Sequence, residues 1–212
     1  MKFYGYFRSS AAYRCRIAFN LKGFHPETVF VNLRDGDQGS DAYHDLNPQG
    51  LVPLLDIGTA KLAQSMAIIE WLDEAIPTPP LLPPDAVGRA QVRAFAQIIG
   101  CDTHPLHNLR VLKFVKAEYG QDQQGLDAWC RHWIGAGLAA CEAIAARQTH
   151  DGAYIFGHAP GLAEIMLIPQ MIAADRFQLD LPPYPRLNAV RATCAALPPF
   201  IDAHPARQPD AV

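Results

Sequence analysis

A proline-rich segment divides the chain into two parts of different character. Residues 77–85, Pro-Thr-Pro-Pro-Leu-Leu-Pro-Pro-Asp, contain five prolines in nine positions. Proline fixes φ and lacks a backbone N–H, so this segment can form neither a helix interior nor a central strand. We therefore expect a domain over residues 1–78, a linker over residues 79–86 and a second domain over residues 87–212.

The first part opens with two apolar runs on either side of a helical pattern. Residues 3–7 and 28–32 are rich in aromatic or β-branched side chains and predict strands. Between them, residues 11–21 carry apolar side chains at helical spacing, and Gly23 stands where a C-cap glycine belongs. A strand, a helix and a strand in that order predict a βαβ unit with parallel strands.

The first part ends with the pattern of a hairpin and a helix. Short apolar pieces at residues 51–55 and 60–63 flank an Asp-Ile-Gly-Thr turn, which is typical of a β-hairpin. Ser65 is the predicted N-cap of a helix that runs through Ile76. The order βαβ followed by ββα is that of a thioredoxin-like domain.

Beyond the prolines the apolar pattern is helical throughout. Asp85 is the predicted cap of a long helix, and further helices are expected at about residues 126–146, at about residues 162–176 and after Pro185. No convincing strand pattern follows residue 85. The predicted fold class is therefore α/β plus all-α: a thioredoxin-like domain followed by an all-helical domain.

Composition excludes several classes of partner. The 212 residues are 50% hydrophobic and carry a net charge of −3, with no basic stripe, so nucleic acid is not an expected partner. No run of eighteen apolar residues predicts a membrane span. The opening residues Met-Lys-Phe-Tyr-Gly-Tyr-Phe-Arg-Ser-Ser lack the apolar region of a signal peptide, which favours a cytoplasmic protein.

The cysteine and histidine spacings favour neither disulfides nor a metal. The five cysteines are odd in number and widely spaced, which predicts reduced and mostly buried thiols. His104 and His107 stand three positions apart, but no further ligands accompany them. We expect no metal site.

Two segments of the first part suit a peptide with an anionic end. Pro53 follows an apolar coil, where a cis bond after Val52 is expected to leave the Val52 backbone free to pair with an extended peptide. Gln64 and Ser65 begin a helix, where the dipole and the open N–H groups favour a carboxylate. Ser65 taken alone has the alternative of being a plain N-cap.

The stretch Phe-Arg-Ser-Ser, residues 7–10, predicts a site for a thiolate. The Ser9 and Ser10 hydroxyls stand between a strand and a helix, where they can donate to a sulfur anion that the helix N-terminus also favours. Lowering the pKa of a free thiol by about two takes roughly 2.7 kcal/mol and makes the thiolate the major form at pH 7. Arg8 suits a substrate carboxylate. We expect Arg14 to be a solvated helix residue. The alternatives are that the serines only cap the helix and that Arg16 is solvated as well.

These segments resemble those of the zeta class of glutathione transferases, a family that includes maleylacetoacetate and maleylpyruvate isomerases. The resemblance covers nearly the whole chain and rests on six segments in order: YFRSSAAYRCRIAFNLKG, LNPQGLVPLL, QSMAIIEWL, HPLHNLRVL, DRFQLDLPPYP and HPARQPD. It implies glutathione as cofactor, a small dianionic maleyl substrate and a homodimer.

The resemblance also implies a role for each matching residue. Ser9, assisted by Ser10, would hydrogen-bond the glutathione thiolate. The remaining implied glutathione contacts are Gln38, Val52, Pro53, Gln64, Ser65, His104 and Asn108. Arg8 and Arg176 would face the substrate carboxylates, with Arg110 as a third cation.

Two positions depart from the class pattern. Ala11 stands where the class usually has cysteine, which is not the glutathione sulfur, so we expect the cofactor chemistry to survive. Gly161 and Glu164 stand where the class has Ser or Thr and Asp, a capping box of the helical domain. Because glycine has no side chain to cap with, a somewhat weaker helix is expected.

The activity that the resemblance implies is glutathione-dependent cis–trans isomerisation of maleylacetoacetate or maleylpyruvate in aromatic catabolism. Conjugation of glutathione to α-halo acids or other electrophiles is the alternative within the family. A non-catalytic interaction protein of the same fold is a third possibility, which the presence of Ser9 and of Val52-Pro53 disfavours.

Overall fold

The computed structural model describes residues 1–211. Contacts divide the chain into two compact units: Met1–Pro80 together with the segment from Ala196 onward, and Leu81–Ala195. The division differs from the expected one at the C-terminus, because the final segment packs with the first unit. Val212, the last residue of the expected second domain, lies outside the described residues.

A four-stranded sheet forms the centre of the first unit. Its order is β2-β1-β3-β4; β2 runs parallel to β1, and β3 runs antiparallel to both β1 and β4. The elements of this unit before the prolines are β1 (Lys2–Gly5), α1 (Ser10–Lys22), β2 (Glu27–Phe30), α2 (Asp41–His44), β3 (Leu54–Asp56), β4 (Lys61–Ala63) and α3 (Ser65–Ala75). The predicted thioredoxin-like fold is confirmed.

Alternation and helical periodicity account for the core of this unit. Phe3 and Leu55 are directly paired on β1 and β3 and are both buried. Ile17 of α1 and Ile68 of α3 are fully buried. α3 turns an apolar face inward, whereas α1 also buries the charged side chains of Arg14 and Lys22. Gly23 ends α1 at a φ of 62°, which glycine adopts without a Cβ penalty.

The second unit is helical, as its sequence pattern predicts. Its helices are α4 (Ala86–Gln97), α5 (Leu109–Tyr119), α6 (Gln123–Ala146), α7 (Leu162–Arg176) and α8 (Pro185–Ala195). A π-helical turn at Ile98–Thr103 and a 3₁₀ turn at His104–His107 separate α4 from α5. Within residues 1–211, no helix is both long and apolar enough to cross a membrane.

The C-terminal segment of the first unit docks along α1. It contains α9 (Pro198–Ala203) and a 3₁₀ turn at Pro205–Arg207. One face of α1 donates three side-chain hydrogen bonds to carbonyl groups of α9: Tyr13 to Phe200 at 3.4 Å, Arg16 to Ala203 at 3.0 Å and Asn20 to Pro199 at 2.9 Å. This segment is therefore part of the thioredoxin-like unit.

The capping box expected at the start of α7 is half formed. The two carboxylate oxygens of Glu164 accept from the backbone N–H of Gly161 and of Ile155, each at 2.8 Å. Gly161 supplies no side-chain cap, and a Cβ there would lie 2.7 Å from the carbonyl oxygen of Leu81. Close backbone approach explains the glycine, because a larger residue requires the backbone of residue 81 to move.

Candidate functional site

The predicted glutathione-binding segments of the first unit leave the sheet at one end. Tyr4 pairs with Leu54 and Leu54 pairs with Ala63, both antiparallel. The end of β1, the start of β3 and the end of β4 therefore lie at the same end of the sheet, and the parallel β2 also ends there. Ser9, Val52 and Gln64 each lie within a few residues of that end of the sheet.

Ser9 is the N-cap of α1, and its hydroxyl is available as a donor. The Ser9 Oγ accepts from the backbone N–H of Ala12 at 3.1 Å, which leaves the hydroxyl hydrogen free to donate to a ligand. Ser10 is the first residue of the helix. The cap and the predicted thiolate contact are therefore compatible roles of the same hydroxyl.

Val52 and Pro53 are placed as the sequence predicts. The Val52–Pro53 bond is cis. Within the described residues, the backbone of Val52 makes no backbone hydrogen bond, whereas the carbonyl of neighbouring Leu51 accepts from the Tyr43 hydroxyl at 2.9 Å and from the Asn47 amide at 2.7 Å. Side chains thus hold the segment while the Val52 backbone stays open for an extended peptide.

The start of α3 suits a carboxylate, although its cap differs from the expected one. Gln64, not Ser65, is the N-cap residue, and it makes no side-chain cap bond. Gln64 has a φ of 72°, a conformation that costs about 1–3 kcal/mol outside glycine and that clusters at functional sites. Its amide donates to Oε1 of Gln49 at 2.6 Å. The first-turn N–H groups are therefore left for a ligand anion.

Arg14 lies inside the first unit, so the expectation that it is solvated is wrong. The side chain is among the largest fully buried ones, and its Nη1 lies 3.5 Å from the Ser65 Oγ. Since Ser65 accepts this bond, its own hydroxyl hydrogen is available to a carboxylate ligand. The buried positive charge also favours an anion at the start of α3.

Gln38 carries an unused acceptor. Its Oε1 is buried and has no hydrogen-bond partner among residues 1–211. A buried polar atom without a partner costs about 1–3 kcal/mol, so its presence in the loop after β2 fits a ligand that donates to it. The amide and ammonium groups of a glutathione molecule are donors of this kind.

Three of the four predicted residues of the second unit, His104, Asn108 and Arg110, lie around the turn between α4 and α5. The Trp129 indole donates to the Leu106 carbonyl at 2.7 Å, and the rings of His104 and His107 meet edge to face with centroids 5.2 Å apart. Asn108 caps α5 by accepting from the Arg110 backbone N–H at 3.1 Å. The π-helical turn that precedes His104 is a feature often found at functional sites.

The three arginines predicted to face substrate carboxylates are exposed, as a ligand-binding cation requires. Arg8 belongs to the first unit, and Arg110 and Arg176 belong to the second. Arg176 lies in the last turn of α7, where its guanidinium carbon is 5.3 Å from the centre of the Phe177 ring. Contact of these arginines with a substrate stays a prediction.

The cysteines do not supply a protein nucleophile near the first helix. Cys15 is fully buried, and burial raises the pKa of its thiol to about 12. All five cysteines are free, and four of them are buried; Cys101 is exposed. Residues 1–211 contain no group of three or more His, Cys, Asp or Glu side chains that could hold a metal ion.

The sequence does not reveal the residues that hold the predicted site residues in place. Gln49, Arg14 and Arg16 contact residues that lie 15, 51 and 187 positions away in sequence. The only local signal is the cluster of arginines at the start of α1. From the sequence, these arginines are expected to contact a ligand or solvent, and not buried backbone carbonyl groups.

A family model matches the part of the chain that carries these segments. Residues 8–75 match the model of the glutathione S-transferase N-terminal domain. The chain is 50% identical over 210 residues to maleylpyruvate isomerase from a Ralstonia species, with 99% of both chains covered. It is 46% identical over 213 residues to maleylacetoacetate isomerase from Pseudomonas aeruginosa, with 99% of this chain and 98% of the relative covered.

Solved structures that resemble this chain belong to the same family as these relatives. A holo structure of maleyl pyruvate isomerase, described as a bacterial glutathione S-transferase of the zeta class, superposes with a TM-score of 0.98 at 50% identity, with both chains fully covered. Maleylacetoacetate isomerase from Anaeromyxobacter dehalogenans, with glutathione bound in its active site, has a TM-score of 0.89 at 43% identity, covering 100% of this chain and 97% of that one. The chain has the fold of a glutathione transferase and belongs to that family. Within that group, the chain belongs to the zeta class.

Proposed function

We propose that the protein is a glutathione-dependent isomerase that converts maleylacetoacetate or maleylpyruvate to the corresponding fumaryl isomer. The convergence of Ser9, Val52 and Gln64 at one end of the sheet is the observation that carries the proposal. These positions offer a hydroxyl donor, an open backbone segment and a helix N-terminus. Those are the three partners that the thiol, the cysteinyl backbone and the γ-glutamyl carboxylate of one tripeptide require.

The residues of the first unit would hold glutathione in an extended conformation. Val52 pairs with its backbone, Ser65 and the start of α3 bind the γ-glutamyl carboxylate, and Gln38 accepts from one of its donors. Ser9, with the dipole of α1, keeps the sulfur ionised. When bound, glutathione supplies a thiolate that adds reversibly to the cis double bond of the substrate and so permits rotation about it.

The arginines would supply the remaining requirement, which is positive charge. A maleyl substrate carries two carboxylates, and charge develops on its carbonyl oxygen as the double bond is lost. Arg8 and Arg176 are proposed to bind the carboxylates, with Arg110 as a further cation, since guanidinium binds carboxylate through two parallel hydrogen bonds. Fixed cations near the developing charge lower the barrier.

The test is a product analysis with glutathione at a small fraction of the substrate concentration. An isomerase forms fumaryl product far in excess of the glutathione supplied, and the glutathione is recovered unchanged. Absence of conversion with both maleylacetoacetate and maleylpyruvate would contradict the proposal. Stoichiometric consumption of glutathione with an α-halo acid would instead favour the conjugating activity.

Arg176→Ala separates the binding of substrate from the binding of glutathione. We expect a rise in KM for the maleyl substrate, because one carboxylate partner is lost, and an unchanged affinity for glutathione. Lys113→Ala is the matched control, since it removes a cation with no predicted role from another helix of the same unit. Unchanged kinetics in Arg176→Ala would remove Arg176 from the substrate site.

The cellular setting is proposed on the same basis. We infer a cytoplasmic enzyme of aromatic catabolism that acts as a homodimer, as the resemblance to the zeta class implies. Sedimentation of the purified protein tests the dimer, and a strain that lacks the gene tests the catabolic role by its growth on tyrosine, homogentisate or gentisate.

A further inference from the structure

The loop that leads to Ser9 is held by the far end of the chain. The backbone N–H of Phe7 donates to Oδ2 of Asp210 at 2.9 Å, a contact between residues 203 positions apart. Within the loop, the Ser9 N–H donates to the carbonyl of Tyr6 at 3.0 Å. The position of the Ser9 hydroxyl is therefore coupled through two peptide groups to a carboxylate in the C-terminal segment.

Arg16 also binds this loop. Its Nη2 donates to the Phe7 carbonyl at 3.0 Å and its Nη1 to the Tyr6 carbonyl at 3.5 Å, while its Nε donates to the Ala203 carbonyl at 3.0 Å. Burial lowers the pKa of Arg16 to about 10, and the nearby charge of Asp210 opposes that shift. The guanidinium therefore stays charged at neutral pH and joins the loop to α9.

Three hydrogen bonds fix the turn of the C-terminal segment that contains Asp210. The Ala211 N–H donates to the carbonyl of Gln208 at 3.0 Å, which closes a turn around Asp210. The Gln208 side chain donates to the carbonyls of Asp202 at 2.9 Å and His204 at 3.0 Å. These bonds fix the turn to α9, which itself is bound along α1.

We propose that Asp210 is a positioning residue, which with Arg16 fixes the Tyr6–Ser9 loop so that the Ser9 hydroxyl meets the glutathione sulfur. This inference rests on the proposed function and extends it to the C-terminal segment. The loop joins the end of β1 to the start of α1, so a displacement of the loop moves Ser9 directly. A displacement of about 1 Å at a reacting group can lower turnover by about a hundredfold.

Two variants of similar size test the role of the Asp210 acceptor. Asp210→Asn keeps an oxygen that can accept from Phe7, and Asp210→Leu removes it. We expect Asp210→Leu to lower kcat about tenfold and to reduce the ultraviolet thiolate absorbance of bound glutathione, with KM for the maleyl substrate within about twofold. Asp210→Asn should retain most of both signals. Asp202→Ala is the control, since it removes an exposed carboxylate from the same segment.

Each outcome decides the question. Equal thiolate absorbance and kcat in the wild type and Asp210→Leu would overturn the proposal, and equal losses in the Leu and Asn variants would overturn the acceptor role. If the Leu variant fails to fold, hydrogen exchange in the wild type decides: a protected Phe7 amide supports the contact and an unprotected one refutes it. A wild type with neither bound thiolate nor isomerase activity would instead contradict the proposed function.

Discussion

Replacing Ser9 with alanine removes both roles of its hydroxyl, and two different measurements tell the two losses apart. The Oγ accepts from the Ala12 N–H at 3.1 Å as the cap of α1, and its hydrogen is proposed to donate to the sulfur of glutathione. Ser9→Ala removes both interactions, and we expect the loop backbone to keep its course, since its backbone contacts do not involve the Ser9 side chain. The first loss acts on stability and the second on the bound thiol.

The two losses have different magnitudes. Loss of a serine cap costs about 1 kcal/mol, which in a chain of this size lowers Tm by about 2–4 °C. A hydrogen bond to a charged group contributes about 1.5–3 kcal/mol. At 1.36 kcal/mol for each pKa unit, its removal should raise the pKa of the bound thiol by about 1–2.

The assay is a pH titration of the ultraviolet thiolate absorbance of bound glutathione. Asp85→Ala is the matched control, because the Asp85 carboxylate caps α4 by accepting from the Gly88 N–H at 2.8 Å and has no predicted part in binding. Both variants should lose stability, and only Ser9→Ala should raise the thiol pKa and lower kcat, with glutathione affinity largely kept. A lower Tm with an unchanged thiol pKa would refute the thiolate role and leave Ser9 as a cap alone.

Three further changes test other parts of the structure. Gly161→Ser should lower the free energy of unfolding by about 1–3 kcal/mol, because its Cβ meets the Leu81 carbonyl. Urea denaturation measures this loss, with Gly39→Ser as the control because a Cβ at residue 39 meets no neighbouring atom. A Gly161→Ser variant more stable than the wild type would contradict this account. Native protein at pH 8 should react with one equivalent of a thiol reagent, at Cys101, because the other four thiols are buried; a Cys101→Ser variant that still reacts would contradict this. Gln38→Leu should lower glutathione affinity about tenfold without loss of stability, because it removes a buried acceptor that has no partner in the described part of the chain. Calorimetry measures the affinity and thermal unfolding the stability, and unchanged affinity would exclude Gln38 from the site.

Much of the first unit was predictable because its signals are local. The β1–α1–β2 order and the hairpin of β3 and β4 follow from alternation, helical spacing and turn residues. The start of α3 was misplaced by one residue, since Gln64 takes a left-handed φ that propensity assigns to glycine or asparagine. That departure from the local rule lies at the predicted carboxylate site.

The turn between α4 and α5 could not be predicted from periodicity. Pro105 and two histidines interrupt the apolar pattern, so α5 was not predicted as a helix. Its position depends on distant partners: the Trp129 indole holds the Leu106 carbonyl. Tertiary contacts of this kind leave no periodic trace in the sequence.

The residues that hold the loop before the predicted thiolate site were missed for a similar reason. The sequence marks Arg16 as a charge near a helix start, but its guanidinium binds three backbone carbonyls inside the first unit. Asp210 lies in the segment HPARQPD, which resembles a segment of the family. The resemblance assigns no role to Asp210 itself. Both act on the loop before Ser9 through contacts that only the fold brings together.

The crystal structure of this chain with bound glutathione tests the central claim most directly. The account predicts the sulfur within hydrogen-bond distance of the Ser9 Oγ, the cysteinyl backbone paired with Val52, and the γ-glutamyl carboxylate at the first N–H groups of α3. A tripeptide bound with its sulfur away from Ser9, or with its carboxylate elsewhere than the start of α3, would contradict it.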